Sequence, residues 1–279
     1  MYWEYFNLNE NPFGLTPDPK FLYLSKPHTT CIEWMKFAIE QHEFGLITGE
    51  VGSGKTVLSR YIIDSLEDEK YKVCWIINPS MSAVQLLKEI YRQLFEEEPP
   101  FRKAQLIKKL EEGLTKFFLD DIYPVIFIDE SQSIPSPKVF EELRLLSNYQ
   151  TDSQLLLSIV LLAQPEILKR LKRETYRAFT QRVRYTISLE ALNENEVKEY
   201  IKHRLNITGA KGDLFDEEAY KELHRLTKGY PRPLNHLASF SLLETMVAQN
   251  NIVTAEVVRK AAKSIIYINE NENLSGALE

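Results

Sequence analysis

The sequence has too few cysteines for a disulfide scaffold and no long apolar run. Its 279 residues include two cysteines, Cys31 and Cys74. Neither belongs to a Cys-x-x-Cys pair, so we expect two reduced thiols. The longest apolar run, residues 155–163 (LLLSIVLLA), is far shorter than the ~20 residues of a membrane-spanning helix. The first residues, MYWEYFNLNENPF, lack the regions of a signal peptide. We therefore expect a soluble, cytoplasmic protein.

The sequence also lacks an excess of positive charge. It has 34 Lys and Arg against 40 Asp and Glu, which gives a net charge of -6. Nucleic-acid-binding proteins usually carry a basic excess, so the overall charge does not indicate one, although a local basic patch is still compatible with it. The composition, 44% hydrophobic and 27% charged, is that of a globular protein and excludes a disordered chain.

Apolar runs alternate with amphipathic segments over the first two thirds of the chain. Strands are predicted at residues 44–48, 72–77, 124–129, 155–162 and 183–189, with helices at 55–66, 82–95 and 103–118. This alternation predicts βαβ crossovers and a parallel sheet. After residue 189 only helices are predicted, at 193–205, 216–227, 234–249 and 254–267, with Asn193 and Asp216 as N-caps.

This pattern predicts an α/β core at residues 1–190, a helical region at 191–268 and a flexible tail at 269–279. Little length is left for a separate DNA-binding, membrane or cell-wall domain. We therefore expect any partner to be bound by the surface of these two regions.

Residues 49–56 (GEVGSGKT) match the pattern G-x-x-x-x-G-K-[ST] between a predicted strand and a predicted helix. Such a loop wraps its backbone N–H groups around phosphate oxygens at a helix N-terminus. Lys55 can then reach the β- and γ-phosphates, and the hydroxyl of Thr56 can bind Mg²⁺. The residues expected to contact the nucleotide are Gly49, Glu50, Val51, Gly52, Ser53, Gly54, Lys55, Thr56 and Val57.

A second motif, residues 125–130 (VIFIDE), ends an apolar strand in two acids. Carboxylates at the carboxyl end of a strand lie where open α/β sheets bind ligands. We expect Asp129 to hold Mg²⁺, directly or through water, and Glu130 to orient and polarise the attacking water. The pair favours hydrolysis over nucleotide binding alone.

Three further polar residues are candidates for the same site. Gln164 follows an apolar strand and would face the γ-phosphate if that strand lies between the two motif strands; the alternative is a loop residue before Pro165. Arg182 can act as an arginine finger in a neighbouring subunit. Arg184 competes with it, because two residues spaced by two on a strand share a face, and a solvated arginine is the third option.

Arg232, in residues 229–232 (GYPR), is placed by its turn at the start of a helix. A cation is disfavoured there by the helix dipole unless it meets a phosphate. A surface arginine is the alternative.

With these elements in order, the chain resembles AAA+ ATPases, and more closely the ExeA-type group that includes MshM-like pilus-biogenesis ATPases. Other segments that carry the resemblance are residues 11–13 (NPF), 15–19 (LTPDP), 21–25 (FLYLS), 142–148 (ELRLLSN) and 159–166 (IVLLAQPE). More distantly, the chain resembles the TnsC- and TniB-like regulators of DNA transposition.

The resemblance implies a P-loop NTPase sheet in the order 5-1-4-3-2, with helices on both faces, and a small all-α lid. It implies Gln164 as sensor 1, Arg182 as arginine finger and Arg232 as sensor 2. It also implies that residues 1–30 enclose the adenine, with Tyr23 near the base. Larger ExeA-type proteins continue into a transmembrane helix and a peptidoglycan-binding region, and we expect neither function to carry over.

Three roles are compatible with these motifs. The first is an oligomeric ATPase that serves a secretion or pilus system, and the second is an ATP-dependent regulator on DNA. A basic segment supports either one, because it can contact phosphates or an acidic neighbour in a ring such as residues 96–98 (EEE). Its cations are Lys169, Arg170, Lys172, Arg173, Arg177, Arg182 and Arg184. The third role is a nucleotide-gated binding module, against which Glu130 argues.

Overall fold

A computed structural model describes residues 1–14, 18–152 and 154–265 of the protein. The chain divides into two units. The α/β unit comprises Lys26–Glu50 and Lys55–Leu189, and the helical unit comprises Met1–Ser25, Val51–Gly54 and Glu190–Glu279. The predicted tail at 269–279, the end of the last predicted helix and residues 15–17 of the LTPDP segment lie outside the described residues.

The secondary structure alternates between strands and helices up to residue 188 and is helical after it. The strands are β1 Phe44–Thr48, β2 Tyr71–Ile76, β3 Tyr123–Ile128, β4 Ser158–Ala163 and β5 Val183–Ser188. The α-helices are α1 Tyr2–Tyr5, α2 Lys26–Glu40, α3 Lys55–Asp64, α4 Ala83–Phe95, α5 Lys103–Leu119, α6 Pro137–Leu146, α7 Glu166–Leu171, α8 Arg177–Thr180, α9 Glu194–Ile207, α10 Glu217–Thr227, α11 Pro231–Val247 and α12 Ala255–Ala262.

The α/β unit is built on a five-stranded parallel sheet in the order β2-β3-β4-β1-β5. This is the predicted order 5-1-4-3-2 read from the other edge, so the predicted fold class is confirmed. Every residue of β1, β3 and β4 is buried, as expected for parallel strands covered on both faces. The fourth strand was predicted to begin at Leu155 but begins at Ser158, because Leu155 forms an isolated antiparallel bridge with Gln150 instead.

Each face of the sheet has its own hydrophobic core. On one face α4, α5 and α6 pack against alternate strand residues such as Ile126 and Leu161. On the other face α2 and α3 pack against the intervening residues, such as Phe127 and Leu162. The two cysteines are free and buried, one in each core. Burial raises the pKa of Cys31 to about 12, so that thiol stays protonated at neutral pH.

Four α-helices of this unit, α2, α6, α7 and α8, were not predicted, and α2 and α6 are the two longest of them. Helix α2 begins with Lys-Pro-His-Thr-Thr, where Pro27 and the β-branched threonines resemble a loop. A signal was nevertheless present, because its buried residues His28, Cys31, Ile32 and Met35 recur at the spacing of a helical face. For α6, Pro137 at the first helical position is the start signal that was available.

The helical unit contains α9 to α12 and the N-terminal residues. The predicted N-caps are confirmed: the side chains of Asn193 and Asp216 accept hydrogen bonds from the backbone N–H groups of Glu196 and Ala219. Residues 1–14 pack within this unit through Tyr2, Phe6, Leu8 and Phe13. The structure thus groups the N-terminal segment with the helical region, whereas the sequence placed residues 1–190 in one core.

A buried arginine anchors this segment. The guanidinium of Arg204 donates to the carbonyl oxygen of Pro12 at 2.6 Å and lies 4.5 Å from the ring centre of Phe21.

Among the described helices, none combines the length and the hydropathy that crossing a membrane requires.

Candidate nucleotide site

Three predicted site residues meet at the carboxyl edge of the sheet. Gly49 follows β1, Asp129 follows β3 and Gln164 follows β4, and β4 lies between β1 and β3. The backbone N–H of Gly49 donates to the carbonyl oxygen of Ala163 at 3.2 Å. The condition set for Gln164 in the sequence analysis, a strand between the two motif strands, is therefore met.

Lys55 is held inside its own loop. Its side chain is buried, and its Nζ donates to the carbonyl oxygens of Gly49 at 2.7 Å and Glu50 at 3.1 Å. Burial lowers the pKa of this ammonium, and the carboxylates of Glu130 and Asp129 partly oppose the shift. The ammonium of Lys55 is thus hydrogen-bonded to carbonyl oxygens of the loop. It lies at the start of α3, where a helix N-terminus attracts anions.

The loop backbone has the conformation that its glycines permit. Gly52 and Gly54 have φ angles of 79° and 102°, in the left-handed region that favours glycine. The Oγ of Ser53 is buried and has no hydrogen-bond partner among the described residues. A buried polar atom without a partner is costly, and a bound phosphate oxygen would satisfy it.

Arg232 lies in the first turn of α11, within the helical unit that also includes residues 51–54. Its backbone N–H donates to the carbonyl oxygen of Gly52 at 3.1 Å. A Cβ added to Gly52 would lie 2.6 Å from the Cβ of Arg232. The predicted sensor 2 residue thus adjoins the middle of the glycine-rich loop.

Asp129 and Thr56 form a pair of oxygen ligands. The Thr56 Oγ1 donates to Asp129 Oδ2 at 2.9 Å, and the backbone N–H of Glu130 donates to Oδ1 at 2.8 Å. Burial raises the pKa of the Asp129 carboxyl, and these two hydrogen bonds partly oppose the shift. A desolvated carboxylate beside a hydroxyl suits a hard cation such as Mg²⁺. No group of three or more His, Cys, Asp and Glu among the described residues could hold a metal ion, so phosphate and water would complete a Mg²⁺ site.

Glu130 has an unusual backbone and a fixed side chain. Its φ of 48° lies in the left-handed region, which costs about 1–3 kcal/mol outside glycine. Its Oε2 accepts a hydrogen bond from the Nε2 of Gln132 and another from the Nε2 of Gln164 at 3.3 Å. The structure therefore brings Glu130, Gln164 and a residue that the sequence did not suggest, Gln132, into one network.

Arg182 lies away from these residues. It precedes β5, and Val183 pairs with Phe44 at the first residue of β1, so Arg182 is at the amino edge of the sheet. Five strand residues rise about 17 Å, and this length separates Arg182 from the carboxyl edge of the sheet in its own chain. Both Arg182 and Arg184 are exposed.

Arg182 and Arg184 do not share a strand face, so that prediction is wrong. Arg182 lies in the turn before β5. The register shifts between Phe44 and Gly45, whose partners are Val183 and Tyr185, so Arg184 is the extra residue of a β-bulge. A bulge re-aims a side chain, and simple alternation does not apply.

The basic segment contains one arginine with an internal role. Arg170 donates from Nη1 to the carbonyl oxygens of Gln132 at 3.2 Å and Ile134 at 2.6 Å, and from Nε to the hydroxyl of Tyr176 at 2.8 Å. Arg170 is one of the seven cations of the basic segment, and its position in the sequence carries no signal of these contacts. Arg177 pairs with Glu174 at 3.1 Å.

The acidic run at 96–98 and Tyr23, for which the sequence suggested other contacts, have partners within this chain. Within the acidic run at 96–98, Glu96 pairs with Lys72 and Glu98 with Arg92. Tyr23 donates its hydroxyl hydrogen to Glu199 and stacks edge-on against Tyr200, with ring centres 6.2 Å apart. A role for Tyr23 near adenine stays a prediction.

Comparison with known proteins decides the family. A family model described as "AAA domain" matches residues 39–171, which include the motifs around Lys55, Asp129 and Gln164. The General secretion pathway protein A of Aeromonas hydrophila is 31% identical over 275 residues. This chain is an AAA+ ATPase of the ExeA type. The match covers 97% of this AAA+ chain but 49% of the relative, so the chain spans about half the length of that curated protein.

Solved structures share the fold of this AAA+ chain. The ORC2 protein of Aeropyrum pernix, in ADPNP–ADP complexes, has a TM-score of 0.65 at 15% identity, over 92% of this chain and 72% of that one. Drosophila ORC bound to DNA has a TM-score of 0.65 at 19% identity, over 91% and 64%. A RuvB protein of Thermotoga maritima has a TM-score of 0.56 at 20% identity, over 86% and 67%.

Proposed function

We propose that this chain hydrolyses ATP with Mg²⁺ at an interface between subunits, and that its nucleotide state switches an oligomer. The observation that carries the proposal is the meeting of Lys55, Thr56, Asp129 and Glu130 at one edge of the sheet. A cation, a hydroxyl and two carboxylates in one place are the groups that phosphoryl transfer to water requires.

Each residue has a separate task in the proposed reaction. Lys55 exchanges the carbonyl oxygens of its own loop for the β- and γ-phosphates. Thr56 and Asp129 would hold Mg²⁺, which would neutralise charge on the phosphates. Glu130 orients the attacking water, and the amide of Gln164 contacts the γ-phosphate. Arg232, beside Gly52, supplies a further cation for the nucleotide.

Arg182 is proposed to act on the nucleotide of a neighbouring subunit. Its place at the amino edge of the sheet separates it from the nucleotide loop of its own chain. An arginine that stabilises transition-state charge in trans is a known device of NTPases. A homo-oligomer with shared sites follows from this proposal.

For the biological role, we infer a cytoplasmic ATPase that acts on a protein partner of a secretion or pilus-type system. Similarity to a general secretion pathway protein over 97% of the chain supports this role. The cytoplasm supplies the ATP and Mg²⁺ that the proposed reaction needs.

A second candidate role is an ATP-dependent regulator on DNA, of the TnsC or TniB kind. The observation in its favour is a group of exposed cations with no acidic partner among the described residues: Lys169, Lys172, Arg173, Arg182 and Arg184. Fluorescently labelled duplex DNA, titrated with protein across a salt series, tests this role. A linear fall of the logarithm of the binding constant with the logarithm of the salt concentration supports this role. No binding at low salt, together with no effect of DNA on ATP turnover, rejects it.

The proposed nucleotide site is tested by Lys55→Ala. Loss of a charge-assisted phosphate contact of about 1.5–3 kcal/mol should weaken ATP binding roughly 10- to 100-fold. Lys138→Ala, which removes an exposed lysine of α6, is the matched control and should bind ATP as the wild type does. Equal ATP affinity of the wild type and Lys55→Ala, measured by calorimetry, would place the nucleotide elsewhere.

A further inference from the structure

The turn that follows Glu130 is locked in place. Residues Ser131–Ser133 form a single 3-10 turn. The hydroxyl of Ser131 donates to the carbonyl oxygen of Ile128 at 2.8 Å. The backbone N–H of Ser133 donates to the carbonyl oxygen of Glu130, also at 2.8 Å. Arg170 holds the far side through the carbonyl oxygens of Gln132 and Ile134. Gln132 therefore projects its side chain from a rigid backbone.

Both ends of the Gln132 amide are engaged by residues of the site. Its Nε2 donates to Glu130 Oε2, and its Oε1 accepts from the backbone N–H of Gln164 at 3.0 Å. An amide is the group that can do both, because it carries a donor and an acceptor. A carboxylate at position 132 would keep the second contact and repel Glu130.

These contacts fix one carboxylate oxygen and leave the other available. The Oε2 of Glu130 accepts from Gln132 and Gln164, while no hydrogen bond to Oε1 is found within the described part of the chain. A glutamate side chain has three rotatable bonds, so two donors on a single oxygen strongly restrict its orientation. The free oxygen is the one that can accept a hydrogen from water.

We propose that Gln132 is a positioning residue for Glu130, which holds the carboxylate and ties it to the strand end that carries Gln164. The inference rests on the proposed function, because it assumes that Glu130 activates water. Gln132 touches neither water nor nucleotide in this proposal and acts through Glu130. Through the backbone of the turn it also links Glu130 to Arg170, in the basic segment that leads to Arg182.

Turnover and binding separate this role from a structural one. In Gln132→Ala, kcat should fall about 10- to 100-fold, the range expected when a reacting group is misplaced by roughly 1 Å. The KM for ATP, the ATP affinity and the Tm should stay at wild-type values. Gln132→Glu should fall further than Gln132→Ala, because it adds a like charge beside Glu130. Ser133→Ala, in the same turn with an exposed side chain, is the control and should match the wild type.

A double variant distinguishes failure of this inference from failure of the proposed function. If Gln132 acts through Glu130, adding Gln132→Ala to Glu130→Gln should lower the residual rate no further. Wild-type turnover in Gln132→Ala, with an inactive Glu130→Gln, overturns the positioning role alone. A parallel loss of Tm and ATP affinity in Gln132→Ala also overturns it. Wild-type turnover in Glu130→Gln overturns the proposed function itself.

Discussion

Asp129 is the residue whose burial conflicts most directly with its charge. Desolvation raises its carboxyl pKa above the value in the unfolded chain. Ionisation of Asp129 therefore opposes folding: the cost is complete above the folded pKa, shrinks as the pH falls below it and is absent below the unfolded pKa. Functional sites often carry such a cost, because the ligand that relieves it is the one the site has to bind.

Asp129→Asn should therefore stabilise the nucleotide-free protein at neutral pH. We expect a rise in Tm of about 2–4 °C at pH 7, and this difference should shrink as the pH falls toward about 3.9, the pKa of an aspartate in an unfolded chain. The amide can still bond to the hydroxyl of Thr56. Thermal unfolding across a pH series measures both effects.

The control for this prediction is Asp68→Asn, at an exposed loop position, which should leave Tm unchanged at each pH. A Tm for Asp129→Asn that is lower than the wild-type value at pH 7 would show that the lost hydrogen bonds outweigh the relieved desolvation.

Sequence and structure contribute differently at the scale of residues. The roles proposed for Lys55, Asp129 and Glu130 came from a motif in a linear order, and the structure brings their carrying strands to one edge. Gln132 could not be found in this way. Its place depends on a 3-10 turn, on the backbone N–H of Gln164 and on Arg170 from α7, and none of these contacts leaves a pattern in the sequence.

At the scale of elements, the connection between helices α10 and α11 depends on one glycine. Helix α10 ends at Thr227, its C-cap Lys228 has a left-handed backbone, and Gly229 follows with a φ of 76°. A Cβ on Gly229 would lie 1.9 Å from the carbonyl oxygen of Leu192, so the backbone would have to move to admit it. The sequence indicated a turn here, and the close approach adds the reason for glycine.

Gly229→Ala should destabilise the helical unit. The left-handed conformation alone costs an alanine about 1–2 kcal/mol, and the backbone clash adds to it. We expect a total loss of at least about 2 kcal/mol in the free energy of unfolding, measured by urea denaturation. Gly212→Ala is the matched control, because a Cβ there meets nothing within 4 Å. Equal stability of the two variants would contradict the packing described for Leu192.

Element prediction succeeded where periodicity and end signals agreed. The N-caps of α9 and α10 and the limits of β1 follow from short-range rules. It failed at α2, where a proline and two threonines indicate a loop although tertiary packing stabilises a helix. It also failed at the bulge of β5, where pairing with β1 determines the register. In both places non-local contacts override the local preference.

At the scale of the whole molecule, the net charge of -6 conceals an uneven distribution. Exposed cations that have no acidic partner in the described part of the chain cluster between residues 169 and 184, next to the proposed arginine finger. This distribution suits a neighbour that presents negative charge, whether an ATP-bound site of a second subunit or the backbone of DNA.

Sharing of sites between subunits predicts a gain of activity on mixing. Arg182→Ala subunits retain Glu130, and Glu130→Gln subunits retain the finger. In a 1:1 random mixture of otherwise inactive variants, about a quarter of the interfaces combine both intact groups, so the mixture should recover roughly that share of the wild-type rate. Arg184→Ala alone is the control that assigns the finger, because it should keep wild-type turnover if Arg182 is the finger. A mixture as inactive as its components would argue against a shared site.

The proposed function depends on Glu130 as the residue that activates water in this AAA+ chain. Glu130→Gln tests it most directly, because glutamine retains the size and one acceptor but not the charge of the carboxylate. We expect ATP affinity close to that of the wild type, measured by calorimetry, together with a loss of steady-state phosphate release of at least about 100-fold. Wild-type phosphate release from Glu130→Gln would show that Glu130 does not activate water.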